Sequence, residues 1–218
     1  MSNEYKDWLA DTMATDALAV ASLYHRDQTR KYTGEPYIEH PKLVAKIIHD
    51  YMESCDDIPL FAFDPMDYCV LTCAALLHDT IEDTNATYEE IQKMFGKSVC
   101  DLVYWVTDEL TPKDGNRKFR KQKYLEKILE APYDAKCLKL ADVLANIRNL
   151  ADVVPSEDKD FAIKYVGEKE EMVNALKLLK ERKKRDKRYY WYKIFSTMLR
   201  DLEIELREVR NKLEHKKQ

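Results

Sequence analysis

Four ionisable side chains fall within the six positions His78-Asp79-Thr80-Ile81-Glu82-Asp83, directly after the apolar run from Tyr68 to Leu77, which holds neither glycine nor proline. Imidazole nitrogens and carboxylate oxygens together suit a divalent transition metal. A charge emerging from a buried element needs a partner or a metal. On one continuous helix His78 faces Glu82 and Asp79 faces Asp83, each pair four residues apart on adjacent stripes of the same side. One turn could then hold an ion and the next act on what the ion holds. A lone His-Asp pair is more often a satisfied hydrogen bond or a helix-end charge. Here two further donors fit from other segments: His40 in Tyr37-Ile38-Glu39-His40-Pro41, and Asp142 in Leu138-Lys139-Leu140-Ala141-Asp142.

The elements that must position these groups read as helices. Leu9, Met13, Leu18, Val20, Ala21 and Leu23 give a first amphipathic helix from about Asp7 to Thr29, which leads into Arg30 and Lys31 beside a turn set by Gly34 and Pro36. Pro41 sits where a first helical turn tolerates proline, so His40 lies at a helix N-terminus, with Leu43, Val44, Ile47 and Ile48 behind it. His49, at the far end of that helix, reads as solvated. Helicity breaks from Ser54 to Pro65. Thr87 and Glu90 have the spacing of a capping box, followed by a short helix to Phe95, Gly96, and a second helix from about Ser98 to Asp108. Thr111 to Lys123 reads as a basic polar loop entering a helix. Tyr133 to Asp152 reads as one site helix with Leu138, Leu140, Val143, Leu144, Ile147 and Leu150 as its core stripe, so that Asp142 and Asn146 project together.

Three blocks, Arg30 to Pro41, Ala75 to Thr84, and Lys139 to Asp142 with Asn146, resemble in order the signature blocks of the HD phosphohydrolase superfamily, and within it the alarmone hydrolase domains of the RelA/SpoT-homologue type. The resemblance covers about residues 8–175. It implies an all-α fold, an HD-domain helical bundle, and metal-dependent removal of the 3′-pyrophosphate of guanosine alarmones. It implies that His40, His78, Asp79 and Asp142 hold one divalent ion, for which the nitrogen and oxygen mixture suits manganese without excluding iron, zinc or magnesium. Glu82 and Asp83 would do the proton chemistry, Arg30 and Lys31 would offset phosphate charge, and Asn146, Leu150 and Tyr165 would meet the nucleotide. For Tyr165 a packing role is the alternative. Val143 and Ala145 depart from the family, where Arg and His are usual.

The 218 residues suit one domain with an appendage: a hydrolase domain over 1–178, and a basic linker with a heptad helix over 179–218. With 4 Gly, 7 Pro and 35% charged residues the composition favours long helices. A net charge of −4 argues against nucleic acid as the partner, although Lys180 to Arg188 is locally basic. The five cysteines (Cys55, Cys69, Cys73, Cys100, Cys137) have no CxxC spacing and read as reduced core thiols. The residues lead us to expect no signal peptide and no membrane span, with a cytoplasmic location. Tyr192, Phe195, Leu199, Leu202, Leu206, Val209 and Leu213 form a heptad seam that something must cover, and a homo-oligomer through this helix is the favoured cover, with packing on the core as the alternative. Two rival functions compete with the alarmone reading. One is an HD hydrolase of a deoxynucleotide or NADPH; the other is a non-catalytic nucleotide- or nucleic-acid-binding regulator, for which the Glu82-Asp83 pair would be superfluous.

Overall fold

The computed structural model describes residues 3–54, 58–59, 62–179 and 187–215, with side chains from residue 11 onward. Cys55 and the basic stretch over 180–186 lie outside the described residues. The elements, in order, are α1 (Asn3–Tyr24), α2 (Glu39–Ser54), α3 (Pro65–Leu77), α4 (Thr80–Asp83), α5 (Tyr88–Val106), α6 (Arg117–Glu130), α7 (Tyr133–Ile147), α8 (Leu150–Val153), α9 (Lys159–Leu176) and α10 (Lys187–His215), and the described residues contain no strand. Among the described residues no helix is long and apolar enough to cross a membrane.

The central helix is α7. Residues on every side of it are buried, from Ala135 through Leu138 and Asp142 to Ile147, because α2, α5 and α10 all pack on it. A helix enclosed in this way must be apolar all round, and its few polar groups need internal partners. The second buried helix is α3, started by Pro65 and by a capping box in which Asp64 accepts from the amides of Met66 and Asp67. It runs under α1, α2 and α5. The His-Asp pair therefore leaves one core helix and Asp142 rises from another.

Local chemistry explains most element ends. Thr87 and Glu90 form the expected capping box at the start of α5. Gly96, at φ 82° and ψ 171°, breaks α5 where two helices were expected to meet. That left-handed backbone favours glycine. The first helix stops at Tyr24, five residues before the expected end, because Gln28 N–H turns back to the His25 carbonyl at 2.9 Å. Thr29 then pairs with Pro36, and Arg30 N–H bonds to the Glu35 carbonyl at 2.8 Å, so Arg30 to Tyr37 is a tight antiparallel loop. His49 is also not solvated as expected. It is half-buried, its Nε2 lies 2.6 Å from Thr72 Oγ1, and burial lowers its pKa.

The seam of α10 is covered within the chain. Phe195, Leu199, Leu202, Leu206 and Leu213 are all buried against α7, α8 and α9. Trp191 packs at a tilt against Phe63 (4.4 Å between ring centroids), and Tyr192 meets Tyr133 edge-on at 5.1 Å. The expectation that a second chain covers this stripe is thus corrected: the open side of α7 needs an apolar lid, and α10 is the lid. Arg148–Glu205 and Arg210–Glu170 ion pairs, at 3.1 and 2.6 Å, fix its register.

Candidate metal centre and the cavity beside it

Burial and hydrogen bonding decide which atoms of the cluster are free to bind. His78 Nδ1 sits 2.7 Å from the Ala75 carbonyl, an acceptor, so that nitrogen carries the proton and Nε2 presents a lone pair. His78 Nε2 and both ring nitrogens of His40 are buried without a hydrogen-bond partner. Orphaned nitrogens of this kind are costly unless a cation takes them. Ligand atoms of His40, His78 and Asp79 lie within 4.8 Å of one another. Asp142 Oδ1 approaches His40 Nε2 at 3.2 Å and His78 Nε2 at 3.8 Å, and Asp79 Oδ2 lies 3.0 Å from His78 Nε2. The donor set fits a divalent ion.

The electrostatics agree. Burial opposes charge on His78, but Asp79 and Asp142 outweigh it and push the imidazole up to about 10. Asp142 is held well below the usual carboxylate range, because the Lys139 ammonium at 2.6 Å and the two imidazoles outweigh its burial. Two carboxylates that raise an imidazole this strongly also stabilise a metal cation, which competes with the proton for the same nitrogen.

The helix does not run straight through the motif. It ends at Leu77, His78 and Asp79 form the junction, and α4 supplies Glu82 and Asp83. Thr80 Oγ1 donates to the Leu77 carbonyl at 2.7 Å and closes the break. Glu82 Oε2 accepts from the Asp108 amide at 2.9 Å, and Asp83 turns toward Tyr37, whose hydroxyl lies 2.7 Å from Asp79 Oδ2 and 3.1 Å from Asp83 Oδ2. Burial raises Glu82 against the Asp108 amide, and burial with the charge of Asp79 raises Asp83 against the Tyr37 hydroxyl. In both groups the shift is toward the protonated carboxyl.

A cavity of about 620 Å³ opens beside His40. Arg30 Nη2 donates to Asn146 Oδ1 at 3.0 Å and Asn146 Nδ2 donates to Asp142 Oδ1 at 2.6 Å, so a chain of bonds runs from Arg30 at the cavity to the metal cluster. Leu150 and Tyr165 form part of the wall, and Lys31 stands at the rim with its amine 2.7 Å from Asp158. Of the departures from the family pattern, Val143 is packed in the core and Ala145 lines the cavity next to Asn146.

All the expected site residues come together, in three tiers: the metal cluster, the α4 carboxylates, and the cavity wall. Sequence reasoning gave no role to Tyr37, Lys139, His25 or Gln28. Lys139 stands three residues before Asp142 on one helix face, so its spacing pointed to the site. His25 stacks on Tyr37 at 4.7 Å, and Gln28 Nε2 donates to the Asp83 carbonyl at 2.8 Å. Nothing local marked that pair.

A family model for the HD domain matches residues 17–166, which include every side chain of this centre, and the chain belongs to the HD-domain family. Among individual proteins it is similar to the fruit-fly (Drosophila melanogaster) guanosine-3′,5′-bis(diphosphate) 3′-pyrophosphohydrolase MESH1, at 38% identity over 142 residues, covering 65% of this chain and 71% of that protein. It is 37% identical over 150 residues to the bifunctional (p)ppGpp synthase/hydrolase SpoT of Escherichia coli K12, covering 67% of this chain and 19% of SpoT. A solved structure described as a metazoan ortholog of SpoT that hydrolyzes ppGpp superimposes with a TM-score of 0.63 at 29% identity, covering 85% of this chain and 94% of that one.

Proposed function

We propose that the protein is a metal-dependent hydrolase that removes the 3′-pyrophosphate of guanosine alarmones, giving GDP or GTP and pyrophosphate. The observation that carries this reading is the buried set His40, His78, Asp79 and Asp142, with orphaned imidazole nitrogens, beside two carboxyls raised by burial. The similarity to MESH1 and SpoT supplies the substrate class. Manganese is the proposed ion, held by those four side chains. When bound, a divalent ion supplies Lewis-acid polarisation of a phosphate and a nucleophile at neutral pH.

The chain's own residues do the rest. Glu82, fixed by the Asp108 amide, accepts a proton from the attacking water. Asp83, whose carboxyl burial and the Asp79 charge raise, is the group placed to give a proton to the departing ribose 3′ oxygen. The water oxygen bonds to phosphorus as the bond from phosphorus to the 3′ oxygen breaks, and pyrophosphate leaves intact. Arg30, oriented by Asn146, offsets phosphate charge through its fork, and Lys31 does so once released from Asp158. Leu150, Ala145 and Tyr165 bound the nucleotide cavity.

The described cysteines Cys69, Cys73, Cys100 and Cys137 are all buried thiols outside any disulfide, in keeping with the proposed cytoplasmic location. With its seam covered, α10 leaves only its outer face, around Ile204, for self-association. The function is tested by incubating manganese-loaded protein with ppGpp and identifying products by phosphorus NMR. GDP and pyrophosphate are expected. Stepwise orthophosphate, or triphosphate from a deoxynucleotide with the alarmone untouched, would overturn the substrate assignment.

A further inference from the structure

A second cavity, of about 570 Å³, lies between α6 and α9 and shares no lining residue with the one beside the metal cluster. Its wall carries Arg117, Lys118, Lys121, Lys164 and Lys169 against Glu168 and Glu171, a net of +3 (five positive, two negative) in a chain whose total is −4. Two of the cations are matched: Arg117 holds Glu168 through two bonds of 2.7 and 2.8 Å, and Lys121 holds Asp108 at 2.9 Å. Lys118 and Lys164 form no ion pair among the described residues, and Lys169 feels Asp142 and Glu168 only as charged neighbours. Unmatched lysines normally spread over a convex surface, where water separates them. Here they converge on a concavity, which focuses their potential.

We propose that this cavity is a second anion site that takes a diphosphate group, separate from the site at the metal cluster. Three lysines lining one hollow suit the spread charge and many acceptor oxygens of a diphosphate better than a single carboxylate. Lys169 adds a supporting observation. Burial and the neighbouring Lys139 charge pull its amine down to about 7 although Asp142 and Glu168 raise it, so a further anion bound in the hollow would favour its charged form. The Lys169 ammonium lies 4.9 Å from the Tyr165 ring centroid, and Tyr165 lines the other cavity, so the two hollows share α9 as a wall. The site also has a route to the chemistry. Lys121 holds the Asp108 carboxylate, and the Asp108 amide holds Glu82, so an anion drawing on Lys121 loosens the clamp on that carboxylate.

The test needs no turnover and so is independent of the substrate assignment. Metal-loaded full-length protein is titrated calorimetrically with inorganic pyrophosphate, and in a second arm with GDP, with metal content checked before and after. The wild type is compared with Lys164→Gln/Lys169→Gln and with Lys31→Gln, which lies at the other cavity. The expected result is a binding event weakened at least about tenfold in the double variant and unaffected in Lys31→Gln. Pyrophosphate alone showing this event identifies the free anion as ligand, and GDP sharing it identifies a nucleotide diphosphate; both support the site. Lys164 is exposed and Lys169 half-buried, so unfolding is not expected, and matched circular-dichroism melts verify this. Equal affinity in the double variant, or loss of the only event in Lys31→Gln, would overturn the proposal.

Discussion

The chain breaks twice beside the metal cluster, after Leu77 and after Ile147, and each time a four-residue helix follows. At the first break the backbone stays near helical values, with His78 at φ −59°, ψ −34° and Asp79 at φ −95°, ψ −6°. Side chains make the end: His78 Nδ1 takes the Ala75 carbonyl and Thr80 Oγ1 takes that of Leu77. At the second break the backbone itself turns, with Arg148 extended and Asn149 left-handed at φ 65°. The first junction re-aims chemistry, swinging Glu82 toward the Asp108 amide and Asp83 toward Tyr37. The second re-aims a wall, turning Leu150 and Val153 to the cavity while Arg148 reaches Glu205 on α10. The comparison teaches that a helix can end without glycine or proline wherever a short polar side chain offers its carbonyls an alternative partner.

Perturbations of the first junction should therefore act on chemistry, and those of the second on stability. The largest effect is expected from His78→Ala or Asp79→Ala, each removing a proposed ligand from the cluster; pyrophosphate release should become undetectable. Next come Glu82→Gln and Asp83→Asn, which should lower kcat by about 10² to 10⁴ while the fold persists. Because burial raises Glu82 and its ionised form is the proposed base, the acid limb of kcat/KM should lie above the ordinary carboxylate value of about 4.3 and rise with pH through it. A limb at the ordinary value would remove Glu82 from that role.

Smaller effects separate the two breaks further. Thr80→Val deprives the buried Leu77 carbonyl of its hydroxyl partner, and urea unfolding should show a loss of about 1–3 kcal/mol. Since Thr80 also seats α4, kcat should fall with stability. Asn149→Ala places an ordinary side chain at positive φ and should cost about 1 kcal/mol, whereas Asn149→Gly should be nearly neutral. Catalysis should survive both. A drop in kcat for Asn149→Ala as large as that for Thr80→Val would erase the distinction.

Much of this was legible in the residues themselves. The apolar run before His78 places the pair at the end of a core helix, Pro41 places His40 at a helix start, and the Thr87-Glu90 spacing is a cap that forms as read. Both breaks were missed for one reason: periodicity continues through them, and the residues that end the helices, Thr80 and Asn149, are tolerated within one. Tyr37 was missed because its role depends on Asp79 and Asp83, more than forty residues away, meeting its hydroxyl. The cover over the α10 seam was misjudged because heptad spacing states that a stripe needs a partner and is silent on whether α7 or a second chain provides it.

The division of labour across the first junction is tested most directly by counting metal in three proteins purified in parallel: wild type, His78→Ala and Glu82→Gln. Elemental analysis should find about one divalent ion per chain in the wild type and in Glu82→Gln, and none in His78→Ala. Metal lost from Glu82→Gln as completely as from His78→Ala would make Glu82 part of the ion's support and contradict the separation of holding from proton transfer.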